Sequence, residues 1–193
     1  MISNSYRIIK KKRKKKEVSF SRFAAIDFET ADYGRDSACA VSVIVAENGK
    51  IINKFYSLIR PPRRDFIFTN IHGITWDDVA DKPSFHELWP QMRQMLSDID
   101  FIAAHNASFD RSVLYTCCRN ARLMIPQTDF ICTVKLARYV WNIFPTKLPD
   151  VCRYLDIPLK HHDALSDTLA CAKIVLAVKN ETIPVCVFLE RNR

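Results

Sequence analysis

The stretch Phe23 to Thr30, FAAIDFET, constrains this chain more than any other, because it is an apolar run that ends in two carboxylates. Side chains alternate across an extended strand, so Asp27 and Glu29 point to the same face at the strand's end. Two like charges at that spacing repel. A fold keeps such a pair when a cation sits between them, and oxygen donors without Cys or His favour Mg2+ or Mn2+ over zinc. An Asp-x-Glu at a strand end also occurs as a solvated edge, so the reading depends on what the rest of the chain brings to it.

The pattern that follows begins with strands. Cys39 to Ala46 and Lys50 to Ile59 are separated by Asn48-Gly49, a two-residue hairpin signal, and with the first run they are expected to form an antiparallel meander that ends at Pro61-Pro62. Thr75 is placed to cap a short helix whose first turn is acidic. Ser84 to Glu87 has capping-box form, and Phe85, Leu88, Trp89, Met92 and Leu96 follow a helical period, but Pro90 moves the expected start of the main helix to near Trp89. Phe101 to Ala104 is another short strand and leads directly into HNASFD, where Ser108 as N-cap would put Asp110 in the first turn of a helix reaching about Arg122. Beyond Asp129 the pattern gives a strand at Phe130 to Thr133 and helices at Val134 to Val140 and Leu148 to Leu155. A last helix runs from Ala164 to Lys179, with Asp167 in its first turn and His162 on the loop that enters it.

Composition narrows the class. A chain of 193 residues with 48% hydrophobic content is long enough to bury one full core. The net charge of +8 is local: Arg7 and the run Lys10 to Lys16 supply eight basic groups and no acid, and the remainder carries 21 of each sign. The basic pI therefore describes residues 1–16. They read equally as a nucleic-acid contact, an address, or a solubilising extension. Seven cysteines without CxxC spacing, no secretory pattern and no apolar stretch of membrane length lead to the expectation of reduced thiols in a cytoplasmic protein.

Asp27, Glu29, Asp110 and Asp167 each fall at the end or first turn of an element, which independently placed surface acids would not favour. DFET, HNASFD and HHDALSD, in that order and at these separations, resemble the DEDDh (DnaQ-like) 3′–5′ exonucleases, in particular the proofreading epsilon subunit of bacterial DNA polymerase III and its stand-alone relatives. The resemblance spans about Phe23 to Val178. It implies an α/β ribonuclease H-like fold, a mixed five-stranded sheet with helices on both faces. The expected organisation is a basic, disordered extension at 1–20, the exonuclease domain at 21–183 and a short tail at 184–193.

The resemblance further implies two divalent ions, Mg2+ or Mn2+, in a two-metal phosphodiester hydrolysis. Asp27, Glu29, Asp110 and Asp167 match the ligands, and His162 matches the general base, with His161 as a competitor that lacks the matching spacing to Asp167. Thr30, His72, Gly73, Ile74, His105, Asn106 and Phe109 would line the pocket for the terminal nucleotide, although His72 and His105 read as well as structural histidines, and Phe28 and Phe109 as core. The expected activity is removal of nucleoside 5′-monophosphates from single-stranded or frayed 3′ DNA ends, with RNA as alternative substrate and a non-catalytic nucleic-acid binding module as the competing class. A DNA polymerase is an expected partner, a membrane is not, and in a bacterium the nucleoid is the expected location. No clamp-binding peptide is recognisable, which weakens the replicase connection.

If the basic run binds nucleic acid, deleting residues 1–16 should weaken single-strand binding and flatten its salt dependence, by about 0.7 in slope for each phosphate no longer neutralised. A fluorescence titration across salt concentrations measures both; unchanged affinity and slope would mark the run as an address or a solubiliser.

Overall fold

The computed structural model describes residues 21–178 and the backbone of 189–190. Expectations for residues 1–20 lie outside the described residues. Three strands, β1 (Arg22–Thr30), β2 (Ala38–Glu47) and β3 (Lys50–Leu58), form the meander. β1 pairs antiparallel with β2, and β2 with β3. The β2–β3 turn uses Asn48 and Gly49 at φ of 48° and 84°, the left-handed pair that a tight hairpin demands. β4 (Ile102–Ala104) and β5 (Phe130–Cys132) add on the other side of β1 in parallel, so the carboxylate strand lies in the middle of the sheet. The order is β3-β2-β1-β4-β5-β6, where β6 is a two-residue strand, Leu189–Glu190, antiparallel to β5. The mixed sheet of five strands is thus present, and a short sixth lies within the segment expected to be a tail.

Because β1 is central, both its faces are buried. Ala24, Ile26 and Phe28 face a core shared with Val41, Val43 and Val45 of β2 and with two helices, α3 (Phe85–Met95) and α4 (Ala107–Asn120). Phe23 and Ala25 face the opposite core, covered by α7 (Ala164–Val178) through Cys171, Ala172, Val175 and Val178. Small α7 residues let the helix approach the sheet closely, and the alternation leaves the next two residues of that face as Asp27 and Glu29. The remaining helices are short: α1 (Thr69–His72), α2 (Trp76–Val79), α5 (Thr133–Trp141) and α6 (Leu148–Tyr154).

Two helix starts differ from the sequence expectation. α3 begins at Phe85, capped by a Ser84–Glu87 box, and continues through Pro90. The carbonyl that loses its partner there belongs to His86, which is exposed along with Pro90, so the group is open to water and the apolar stripe outweighs the missing bond. α4 is capped by Asn106 rather than Ser108, with Asn106 in the left-handed region (φ 71°, ψ 52°) that Asn tolerates better than most residues. Ser108 sits within the first turn and donates its hydroxyl to Asn106 Oδ1 at 3.2 Å.

Candidate active site

The site forms where β1, α4 and α7 meet at one end of the sheet. Asp27 and Glu29 leave β1 on the α7 face, as period-two alternation requires, and α7 brings Asp167 in its first turn. Carboxylate oxygens of Asp27, Glu29 and Asp167 lie within 4.8 Å of one another. Asp110, from the first turn of α4, stands beside that trio: its Oδ1 accepts the Phe28 N–H at 3.1 Å and its charge acts on Asp27. Asp110 and Asp167 are 2% and 5% exposed.

Electrostatics follow from this crowding. Asp27 is held well above the usual carboxylate range, by burial first and then by Asp110, Glu29 and Asp167. Burial and then Asp167 and Asp163 push Glu29 up to about 8. Asp110 and Asp167 are also raised, again by burial first, against the opposing pull of the Phe28 N–H on one and of His161 on the other. Asp167 Oδ2 accepts from His161 Nδ1 at 3.0 Å and from the His162 N–H at 3.2 Å, while Oδ1 is buried with no hydrogen-bond partner among the described residues. An orphaned carboxylate oxygen beside two further carboxylates fits a divalent cation.

The two histidines make different contacts with Asp167. It is the His161 ring that hydrogen-bonds Asp167, whereas His162 touches it through its backbone. Among the described residues no hydrogen bond holds the His162 ring, which stacks on His161 with centroids 3.8 Å apart and planes at 23°. His162 adopts φ of 66°, a left-handed backbone that positions the loop over the first turn of α7.

Beside Glu29, at the edge of the cluster, lies a cavity of about 370 Å³, bordered by Glu29, Tyr56, Asn70, Ile71, His72, Gly73, Ile74 and the loop from Lys160 to Ala164. His72 is fixed within its wall: Nε2 donates to the Thr30 carbonyl at 3.2 Å and Nδ1 accepts the Ile74 N–H at 3.1 Å, which ties the IHGIT segment to the end of β1. Burial lowers its pKa and keeps it neutral for this role. His105 turns inward instead. Its ring nitrogens meet Thr133 Oγ1 at 2.9 Å and the Thr146 carbonyl at 3.2 Å, and burial brings its pKa to about 4. A neutral, doubly bonded ring of this kind holds β4 to α5 and the loop beyond it, which favours the structural alternative. Thr30 is buried, Asn106 is the exposed α4 cap, and the partly buried Phe109 carries the Arg35 guanidinium 4.5 Å above its ring.

Tyr56, Asn70, Lys160 and Asp163 border the cavity without having been singled out in the sequence. Tyr56 stands in register with Ser42, which stands in register with Asp27. No local motif could have revealed it, since the row exists only once three strands are paired.

A mixed sheet with helices on both faces and an acidic cluster at the end of its central strand defines a ribonuclease H-like nuclease. The family model for the RNase_T exonucleases matches residues 24–175, and the chain belongs to that family. The family is one of exonucleases, hydrolases that act on nucleic-acid ends, and such enzymes generally use divalent metals. The chain is 33% identical over 164 residues to exodeoxyribonuclease 10 of Escherichia coli, covering 80% of this chain and 67% of that protein. It is 28% identical over 166 residues to the PolC-type DNA polymerase III of Bacillus cereus, covering 83% of this chain but only 12% of the polymerase. Among solved structures, exonuclease X in complex with 5′ overhanging duplex DNA superposes with a TM-score of 0.68 at 28% identity, covering 82% and 91% of the two chains. The nuclease domain of 3′hExo bound to rAMP, at a TM-score of 0.69 and 19% identity over 84% and 93%, shares the fold. Among the described residues no helix is long and apolar enough to cross a membrane.

The raised carboxylates give a pH signature to the metal-free protein. Groups whose folded pKa exceeds the unfolded value of about 4 contribute stability that is full below that value and is lost as pH rises through the folded one. Chelated wild type should therefore lose stability from about pH 4 toward pH 8, where Glu29 titrates. Asp27→Asn removes the central repelling charge, so its melting temperature in EDTA should gain on wild type as pH rises, and excess Mn2+ should reverse the order. A difference independent of pH, or favouring wild type at pH 8 without metal, contradicts this electrostatic reading.

Proposed function

We propose that this protein is a metal-dependent 3′–5′ exonuclease that releases nucleoside 5′-monophosphates from single-stranded or frayed DNA ends. The observation that carries the proposal is the convergence of Asp27, Glu29 and Asp167 oxygens within 4.8 Å, one of the Asp167 oxygens buried and unpartnered, beside an untethered His162 ring. Asp27, Glu29 and Asp167 would hold one divalent ion, and Asp27 with Asp110 the second. Bound there, two such ions supply charge neutralisation at the phosphate and acidify the attacking water.

The chain's own groups do the rest. His162, free to turn on its exposed loop, accepts a proton from the attacking water at a ring nitrogen, a task suited to a group titrating near neutrality. Burial and the neighbouring His161 lower its pKa, which keeps the ring unprotonated and receptive near pH 7. The water oxygen adds to phosphorus, the P–O3′ bond breaks, and the shortened strand keeps a 3′ hydroxyl. Thr30, Gly73, Ile74, Asn106 and Phe109 would seat the terminal nucleotide, with His72 holding the IHGIT wall in place. Apolar packing and backbone contacts of this kind read no base sequence.

DNA is favoured by the likeness to exodeoxyribonuclease 10 and to exonuclease X in its DNA complex. The likeness to PolC-type enzymes supports association with a DNA polymerase, and repair or proofreading as the setting.

The test is a parallel digestion of labelled DNA and RNA strands presented single-stranded, mismatched at the 3′ end, or fully paired. Unpairing two or three base-pair steps costs on the order of 1 to 2 kcal/mol each, so paired DNA ends should be degraded about ten- to a thousandfold more slowly than mismatched ones. Products should be mononucleotides. Faster degradation of RNA would assign the protein to RNA trimming, and cuts in a circular single strand would contradict an exonuclease.

A further inference from the structure

We propose that His161, His162 and Asp167 form a second cation site, distinct in chemistry from the oxygen-only group, that takes a borderline transition-metal ion such as Zn2+ or Co2+. One ligand atom from each of the three residues lies within 4.8 Å of the other two. Two imidazole nitrogens and one carboxylate oxygen, with a coordination position left for water, is a donor set that zinc takes up readily, whereas Mg2+ selects oxygen.

Two geometric observations support it. His161 Nδ1 stands 3.0 Å from Asp167 Oδ2, close to the roughly 3.3 Å between two ligands of a tetrahedral ion with bonds of about 2.0–2.1 Å. An ion arriving there displaces the hydrogen between them and keeps both partners nearly in place. Asp167 is also 5% exposed, so its Oδ2 presents to the two histidines from a side where water competes little for a cation. Lys160, on the same loop, is engaged with Asp163 at 3.3 Å.

One adjustment is required. Imidazole lone pairs lie in the ring plane, so two rings stacked at 23° do not converge on one ion, and ligation turns the His162 ring out of the stack. Both side chains are exposed, and rotamer exchange in exposed residues takes only picoseconds to nanoseconds. Since Asp167 belongs to both groups, an ion held by the histidines competes with the oxygen-only group for it and occupies the ring that would accept the proton. Zinc inhibition of hydrolysis follows, and that consequence alone rests on the function proposed above.

The site is tested without substrate. The full-length protein carrying Asp27→Asn and Glu29→Gln, which strips the oxygen-only group of two ligands, is titrated with Co2+ and read by visible absorption, where nitrogen-ligated cobalt of low coordination number absorbs far more strongly than the aqua ion. A saturable one-to-one spectrum displaced by Zn2+ is expected. Adding His161→Ala, or His162→Asn to respect the positive φ, should cost roughly tenfold or more in cobalt affinity, since even an outer-shell partner of a ligand is worth about 10- to 100-fold. Circular dichroism establishes that each variant is folded. A spectrum of six-coordinate cobalt only, or an affinity that both histidine substitutions leave unchanged, overturns the proposal. Because no strand is cleaved in this experiment, a failure of the nuclease reading would leave its result intact.

Discussion

Repulsion among Asp27, Glu29, Asp110 and Asp167 is the interaction on which the rest of this structure depends. No Lys or Arg among the described residues forms a salt bridge with any of them. The same chain shows the opposite treatment a few residues away. Asp32 and Asp36 share the Arg63 guanidinium, which holds both carboxyls below the usual range. That arrangement also needs Gly34, because a Cβ there would collide with the Arg63 guanidinium. Acids that brace the β1–β2 connection are neutralised by Arg63, whereas among the described residues no Lys or Arg neutralises the acids at the end of β1.

What tolerates the unpaired charge is the position of β1. Phe23, Ala24, Ala25, Ile26 and Phe28 are buried on two faces, against α3 and α4 on one side and α7 on the other. Full burial of side chains such as Ile and Phe is worth about 1.5–3 kcal/mol each, so the strand is anchored well before its carboxylate end. The cluster is further steadied by backbone donors. Phe28 gives its N–H to Asp110, and His162 gives its N–H to Asp167, so each buried acid is oriented without being neutralised. Function and fold meet in this division, since apolar packing sets the backbone and the backbone aims oxygens that repel one another.

The features legible in the sequence were those governed by short periods. Strand alternation placed Asp27 and Glu29 on one face, Asn48-Gly49 marked the hairpin, and the Ser84 capping box marked a helix start that Pro90 then obscured, since a proline's cost depends on whether the carbonyl it leaves unpaired reaches water. Ser108 reads as the α4 cap because side-chain type suggests an N-cap, whereas the left-handed backbone of Asn106 does not show in composition. The histidines were least legible. His105 becomes a brace only when Thr133 and Thr146 close around it from residues distant in sequence. The hydrogen bond between His161 and Asp167 depends on the loop turning at His162, where φ is positive, and nothing in HHDALSD announces which of two adjacent imidazoles faces the helix. Tyr56 illustrates the same limit, being brought near the site by strand register alone.

Anomalous diffraction from crystals of the protein soaked with Mn2+ and a nucleoside 5′-monophosphate tests the central claim most directly, because it locates the cation rather than inferring it from rate. The account predicts manganese bounded by Asp27, Glu29 and Asp167, with Asp167 Oδ1 among its ligands and the carboxylates drawn together. Density placing manganese only on the protein surface, with Asp27, Glu29 and Asp167 directed to water or to protein donors, would contradict it.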